Sequence, residues 1–348
     1  MTTTRRQFMV KMGWLGGALF LAPSNLMAQL SQTDWVPAYA ELDKKGLLAA
    51  RIEEAYQILE ACQLCPRQCS VNRLEGEPGY CRAPASAVLH SISPHFGEEH
   101  PLVGRNGSGT VFFSNCNLRC VFCQNWPIAH AGQGREVSHQ ELADAMLSLQ
   151  RMGCHNINLV TPTHVMPHIL KALRLALKKG LRLPLVYNTS GYESLEIVKM
   201  LDGIIDIYLP DLKFMDPDQA DIYSPGARDY PQVAQAAIIE MNRQVGTLLV
   251  DYRGVARRGV VLRHLVMPNR VAGTEAFVSW VAQNLPRDTY VNIMAQYRVE
   301  FRAFEYPPIA RGITSGEYLE AMQWAEAAGL TNLDQRSLAN RDFHRRRS

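Results

Sequence analysis

The feature that most constrains this chain is an alternation of strand-like and helix-like segments that starts at Gly109 and repeats six times. Gly109–Ser114, Ile157–Thr161, Leu183–Asn188, Ile204–Leu209, Val260–Met267 and Tyr290–Met294 read as strands. Ser138 with Glu141 writes a capping box ahead of a helix that reaches about Met152. Pro167 opens another helix, with Ile169, Leu170, Leu173 and Leu177 on one face, and Gly180 closes it. Further helices are expected over Ser194–Leu201, from Asp216-Pro217, from Pro231 to about Arg243, over Thr274–Asn284, and from Thr314, capped with Glu317, to Gly329. Successive strand–helix units predict parallel strands with helices outside. Right-handed crossovers curl such a sheet toward a barrel, and six units give a partial one. The expected fold class is therefore α/β, a partial (β/α)6 TIM-like barrel behind a small N-terminal cysteine-rich segment.

In parallel α/β architectures reactive groups collect at the C-terminal ends of the strands. The first strand runs straight into Cys116-Asn117-Leu118-Arg119-Cys120-Val121-Phe122-Cys123, a C-x3-C-x2-C pattern. Thiolates are the usual ligands of iron–sulfur clusters. Three of them hold three corners of a four-iron cube and leave the fourth iron open, as a catalytic metal keeps an open position. The plain alternative is three unrelated buried thiols. The other strand ends are polar: Thr161-Pro162-Thr163-His164, Asn188-Thr189-Ser190-Gly191, Asp211-Leu212-Lys213, Arg263-His264 and Gln296-Tyr297-Arg298. Each alone is ordinary, since a lone histidine is commonly structural and Asp211 with Lys213 reads equally as a surface ion pair. Their recurrence at the same end of successive strands predicts one shared site.

Ahead of the barrel, Leu42, Leu47, Leu48, Ile52, Ala55, Tyr56 and Leu59 predict a helix over Tyr39–Ala61. Cys62, Cys65, Cys69 and Cys81 follow at x2, x3 and x11 spacing. Four thiols make a complete tetrahedral set for structural zinc or a second, closed cluster, and ligand type fits both. Two disulfides are the third reading. Cys154, alone before the second strand, reads as a small buried hydrophobe.

Thr4-Arg5-Arg6-Gln7-Phe8-Met9-Val10-Lys11 reads as a twin-arginine export signal. The apolar run Met12 to Ala22 is shorter than the ~20 residues of a spanning helix. Pro23 and small residues ending near Ala28 follow, as in a cleavable signal. A periplasmic protein is expected; the alternatives are a membrane-anchored one, if the signal stays uncleaved, and a cytoplasmic one with a chance Arg-Arg. Export of folded protein allows a metal centre assembled beforehand to travel with the chain. The expected division is a signal over 1–28, a helix and cysteine-rich segment over 29–100, the core over 101–330 and a basic tail over 331–348, with Arg341 to Arg347 frayed into solvent. A net charge of +3 over 348 residues gives no ground for a nucleic-acid partner or an anionic membrane surface.

With Phe122 in the aromatic place, the C-x3-C-x-aromatic-C pattern resembles that of the radical S-adenosylmethionine (radical SAM) superfamily. From about Cys62 to Tyr318 the chain is similar to its activating enzymes of glycyl-radical proteins, such as the pyruvate formate-lyase activating enzyme. It looks most like a branch that carries a cysteine-rich segment ahead of the barrel. The matching stretches are Cys116–Asn125, Asn188–Gly191, Asp211–Lys213, Arg263–Asn269 and Tyr306–Thr314.

The resemblance implies an oxidoreductase with a 4Fe–4S cluster on Cys116, Cys120 and Cys123 and S-adenosyl-L-methionine on the open iron. An electron from a low-potential donor would cleave the sulfonium C–S bond, and the 5′-deoxyadenosyl radical would take a hydrogen atom from a protein glycine, another peptide site or a small molecule. By the same resemblance Phe122 would lie beside the adenine, Asn188 and Ser190 at the ribose, and His264 on the cofactor. Asp211 and Lys213 match an Asp-x-Lys motif near cofactor and substrate, with Lys213 as the catalytic candidate, able to hold the methionyl carboxylate. Where the family usually has Gly-Gly-Glu-Pro for the methionyl ammonium, this chain has Thr161-Pro162-Thr163-His164. Thr163 takes the carboxylate's place, so a hydroxyl or a carbonyl of Thr161 or Thr163 would receive that ammonium. The four-cysteine segment is likewise absent from the short activators. The competing reading is an exported iron–sulfur or zinc protein without catalysis, serving electron transfer or binding.

Overall fold

The computed structural model describes residues 35–346 and the backbone of residues 29–30. The export-signal reading over residues 1–28 lies outside the described residues. Among the described residues no helix is long and apolar enough to cross a membrane.

The strands are β1 (Gln29–Leu30), β2 (Ala87–His95), β3 (Ser108–Phe113), β4 (Arg135–Val137), β5 (Ile157–Val160), β6 (Leu185–Thr189), β7 (Ile207–Pro210), β8 (Leu249–Asp251), β9 (Ala256–Leu265) and β10 (Tyr290–Met294). They form one sheet in the order β1-β8-β9-β7-β6-β5-β3-β2-β4, with β10 also on β9. β3, β5, β6, β7, β9 and β10 are the six expected strands, and each pairs with the next in parallel. Their residues are almost all buried, as in a parallel sheet covered on both faces. This is the α/β, mostly parallel sheet of a partial barrel. Four additions were not expected: β2 and β4 extend the β3 edge antiparallel, β8 folds antiparallel onto the start of β9, and β1 pairs with β8 in parallel.

The helices follow their caps. Ser138 and Glu141 close a capping box on the helix His139–Arg151, and Thr314 and Glu317 close one on Ser315–Ala327. Met166–Lys178 lays Ile169, Leu170, Leu173 and Leu177 into the core. The single helix expected over Tyr39–Ala61 is instead two, Ala38–Lys44 and Leu47–Gln57, with a 3-10 turn at Ile58–Ala61. Gly46 sits between them at φ 72°, a left-handed conformation that ends a helix. The C-terminal segment is not frayed either. Asp334 caps a helix over Gln335–Arg345, whose Ser337 is buried against β10 and receives the Ile293 N–H at 2.9 Å. The outer edge of β10 is covered by Asn332 to Asp334: Val291 N–H donates to Asn332 O at 3.0 Å and Asp334 N–H to Val291 O at 2.9 Å.

Candidate active site

The three thiols of the first strand end are held by their apolar neighbours. After β3 the chain turns at Asn115 and again at Arg119, both with φ in the left-handed region, at 74° and 55°. Leu118, Val121 and Phe122 are buried and anchor the loop. Val121 is fixed on both sides, its N–H to Tyr223 O and its carbonyl receiving Arg302 N–H, each at 2.9 Å. Asn117 Nδ2 donates to Tyr192 O at 2.7 Å. Phe122 meets Phe214 edge-on at 5.9 Å. With this anchoring Cys116, Cys120 and Cys123 line one cavity of about 250 Å³. Gln124 Nε2 reaches Gln296 O at 3.1 Å, so the loop spans from the first parallel strand to the sixth.

The other strand ends converge on the same cavity. Thr161, Asn188, Thr189, Ser190, Asp211, Lys213 and Gln296 line it, together with Arg263. Gly191 makes the turn after β6 at φ 82°, where a Cβ would fall 2.2 Å from Asp211 O. Only glycine allows β6 and β7 to end this close together. Arg263 joins two strand ends: its Nε donates to Asp211 Oδ1 and its Nη2 to Asn188 Oδ1, both at 2.7 Å. Lys213 Nζ donates to Asp211 Oδ2 at 2.5 Å. Burial works against the Asp211 carboxylate, but Arg263 and Lys213 beside it hold its pKa below the usual carboxylate range. Burial likewise works against the Lys213 ammonium, and Asp211 followed by the nearby Cys120 keeps its pKa raised. One wall of the cavity is therefore a fixed, hydrogen-bonded chain running Lys213–Asp211–Arg263–Asn188.

Two expected residues are placed elsewhere. His264 is fully buried, with Nδ1 on Leu212 O at 2.6 Å, Nε2 on Thr274 Oγ1 at 2.9 Å and its ring stacked on Phe277 at 4.2 Å. It points away from the cavity because successive strand residues face opposite ways, so Arg263 and Leu265 face in. That two-residue alternation was the sign by which Arg263 could have been preferred. Thr163 is also buried outside the cavity, its hydroxyl donating to Glu193 Oε1 at 2.5 Å. Thr189 and Tyr187 also donate to Glu193, filling that carboxylate, so it is no substitute for the family's ammonium-binding acid. Thr161, at φ 59°, is what this strand end presents.

All eight cysteines are free thiols, and the disulfide reading finds no bond here. Cys154 is buried and alone, as expected. The cavity suits a polar cofactor in one specific respect: Ser190 Oγ is buried in its wall with no hydrogen-bond partner among the described residues. Such an atom needs a partner, and three thiols across the same cavity supply a soft donor set for iron.

The family described as the radical SAM superfamily matches residues 110–247, from β3 through the thiol loop to the helix before β8. An uncharacterized protein of Methanocaldococcus jannaschii is 34% identical over 300 residues, spanning 83% of this chain and 81% of its own length. Two solved structures share 13% identity: a methylornithine synthase, at a TM-score of 0.40 over 63% of this chain and 67% of that one, and a maturase of the FeFe-hydrogenase, at 0.43 over 83% and 56%. Both are too distant to bear on function. The thiol spacing, its position at the end of the first parallel strand, the family match and the Methanocaldococcus jannaschii relative agree, and the chain belongs to the radical SAM superfamily, whose enzymes bind a 4Fe–4S cluster and reductively cleave S-adenosylmethionine.

Proposed function

We propose that this protein is a radical SAM oxidoreductase that abstracts hydrogen from a protein substrate, in the manner of the glycyl-radical activating enzymes it resembles. The observation that carries the proposal is the single cavity shared by Cys116, Cys120 and Cys123 and by the Lys213–Asp211–Arg263–Asn188 chain. Cys116, Cys120 and Cys123 would hold the cluster, and the cluster with S-adenosylmethionine, given an electron by a low-potential donor, would supply the reductive C–S cleavage that makes hydrogen abstraction possible. The protein's part is to bind, orient and exclude water. Lys213 offers a point charge to a carboxylate, Ser190 offers its unpartnered hydroxyl to a ribose, Thr161 offers a hydroxyl to an ammonium, and Phe122 an apolar face to a base. Asp211 keeps Lys213 charged and in place.

A protein substrate is proposed on the likeness to the activating enzymes. Exposed aromatics on the thiol loop and on the segment that holds it offer such a substrate a surface: Trp126, three residues past Cys123 and stacked on Phe301 at 5.6 Å, and Phe304, 66% exposed and two residues past Arg302, whose N–H meets Val121 O. We also propose export by the twin-arginine route with the cofactor already inserted; a fusion carrying Arg5→Lys and Arg6→Lys should stay in the cytoplasm, and unchanged export rules the route out.

Anaerobic reconstitution, reduction and addition of S-adenosylmethionine should yield 5′-deoxyadenosine. None from a preparation with a verified four-iron cluster overturns the enzyme reading and favours a non-catalytic iron–sulfur protein. For the substrate, perdeuterated extract of the producing cells is split by size. Deuterium should enter 5′-deoxyadenosine with the macromolecular fraction; transfer only from the small-molecule filtrate overturns the protein substrate.

A further inference from the structure

The four upstream thiols form a built cradle. Cys62 is fixed through its backbone, donating to Val71 O at 2.9 Å and receiving Ser70 N–H at 3.0 Å. Three of the four sulfurs are met by backbone N–H groups: Cys69 by Tyr80 at 3.3 Å, Cys65 by Arg67 and Cys81 by Ala83. The chain turns through left-handed φ at Gln68, Ser70 and Arg82 to direct these groups inward. Gly79 lies so close that a Cβ there would stand 3.3 Å from Cys69 Sγ. N–H groups aimed at sulfur offer hydrogen bonds to a ligating thiolate, while burial raises the pKa of Cys65 and Cys81 as free thiols.

A separate observation points to what fills the cradle. Arg73, beside Cys81, is 1% exposed. Its Nη1 and Nη2 donate to the carbonyls of His164 at 2.5 Å and Pro84 at 2.8 Å, its Nε has no partner, and among the described residues no carboxylate pairs with it. The neighbouring His164 and His168 are pushed down to about 4 and about 3, first by burial and then by Arg73, so they stay neutral, and an imidazole has no negative charge to pair with the guanidinium. An unpaired buried cation is strongly unfavourable. Four thiolates around a dipositive centre leave about two negative charges beside it.

We propose that Cys62, Cys65, Cys69 and Cys81 hold a second 4Fe–4S cluster, closed by four protein ligands and balanced by Arg73. Zinc on the same four thiolates would leave the same charge beside Arg73, and iron and sulfide content separates the two. The assignment does not depend on the substrate or on turnover.

The test uses the full chain with Cys116→Ala, Cys120→Ala and Cys123→Ala, purified without oxygen. It should retain about four irons and four acid-labile sulfides per chain, lost when Cys65→Ala and Cys81→Ala are added. Zinc without sulfide overturns the cluster; metal-free thiols overturn the site. Should the triple variant fail to fold, Mössbauer counting on the unaltered chain decides, with about eight irons expected and four overturning the proposal. In the triple background Arg73→Gln should lower the reduction potential and shed iron on desalting, and Arg73→Lys should restore both. Unchanged potential and iron content in Arg73→Gln would remove Arg73 from the assignment.

Discussion

Arg67 donates its Nε hydrogen to the carbonyl oxygen of Asn117 across 3.1 Å, joining two cysteine segments 50 residues apart. The same guanidinium reaches the carbonyls of Leu118, Gly226 and Pro225 and lies 3.8 Å over the Tyr80 ring. The cysteine-rich segment therefore braces the catalytic loop from outside. Arg67→Gln should lower the rate of 5′-deoxyadenosine formation about 10–100-fold, as loss of an outer-shell partner does. Arg67→Lys should recover little, because an ammonium cannot span four carbonyls. Initial rates per chain, with iron content measured alongside, check both.

Asp211 is the common partner of Lys213 and Arg263. Asp211→Asn leaves Lys213 buried without a counter-charge, whereas Arg263 keeps Glu98 at 3.6 Å. The expected cost is about 3–5 kcal/mol in urea unfolding, the range for breaking a buried pair. A cost below about 1 kcal/mol would mean that solvent already reaches Lys213.

The two threonines of one strand end should separate cleanly. Thr161→Val removes a hydroxyl at the cavity and should raise the Kd for S-adenosylmethionine with little change in stability. Thr163→Val strips a donor from buried Glu193 and should cost about 1–3 kcal/mol with little change in Kd. Equilibrium binding and thermal unfolding on the same preparations distinguish them; the reverse pattern would return Thr163 to the cofactor.

Burial pushes the Glu193 carboxyl up from 4.5 to about 7, against the three hydrogen bonds it receives. Between those values the folded chain holds the proton and the unfolded chain does not, so this group's contribution to stability falls as pH rises from about 4.5 to about 7. Glu193→Gln stays neutral throughout. The Tm of the variant minus that of the parent should therefore be more favourable at pH 8 than at pH 5. A difference independent of pH would mean that Glu193 titrates normally.

The six parallel strands were legible because each is a short apolar run followed by a helical pattern, with Ser138–Glu141 and Thr314–Glu317 placing two helix starts to the residue. The thiol loop was legible because spacing and strand context coincide. The antiparallel strands were not. The stretch Ala87–His95 mixes His90, Ser91, Ser93 and Pro94 into an edge whose pairing depends on a partner distant in sequence, which no local pattern reports. The resemblance points to His264 and the structure to Arg263, because a motif names a neighbourhood, whereas the pleat decides which of two adjacent side chains faces in. The helix over Gln335–Arg345 was hidden by its charge: it is held by Asp334 and Ser337, polar residues that carry no hydrophobic period.

That last helix has a consequence for synthesis. The sixth parallel strand is paired on its outer edge by Asn332 to Asp334 and held from behind by Ser337, all of which leave the ribosome after it. The wall of the cavity formed by Met294 and Gln296 therefore acquires its support only after residues 332–337 have emerged. A cofactor that needs that wall is held only after this point in synthesis, and a truncation that removes residues 332–345 would yield a protein whose thiols are intact but whose cavity lacks a side.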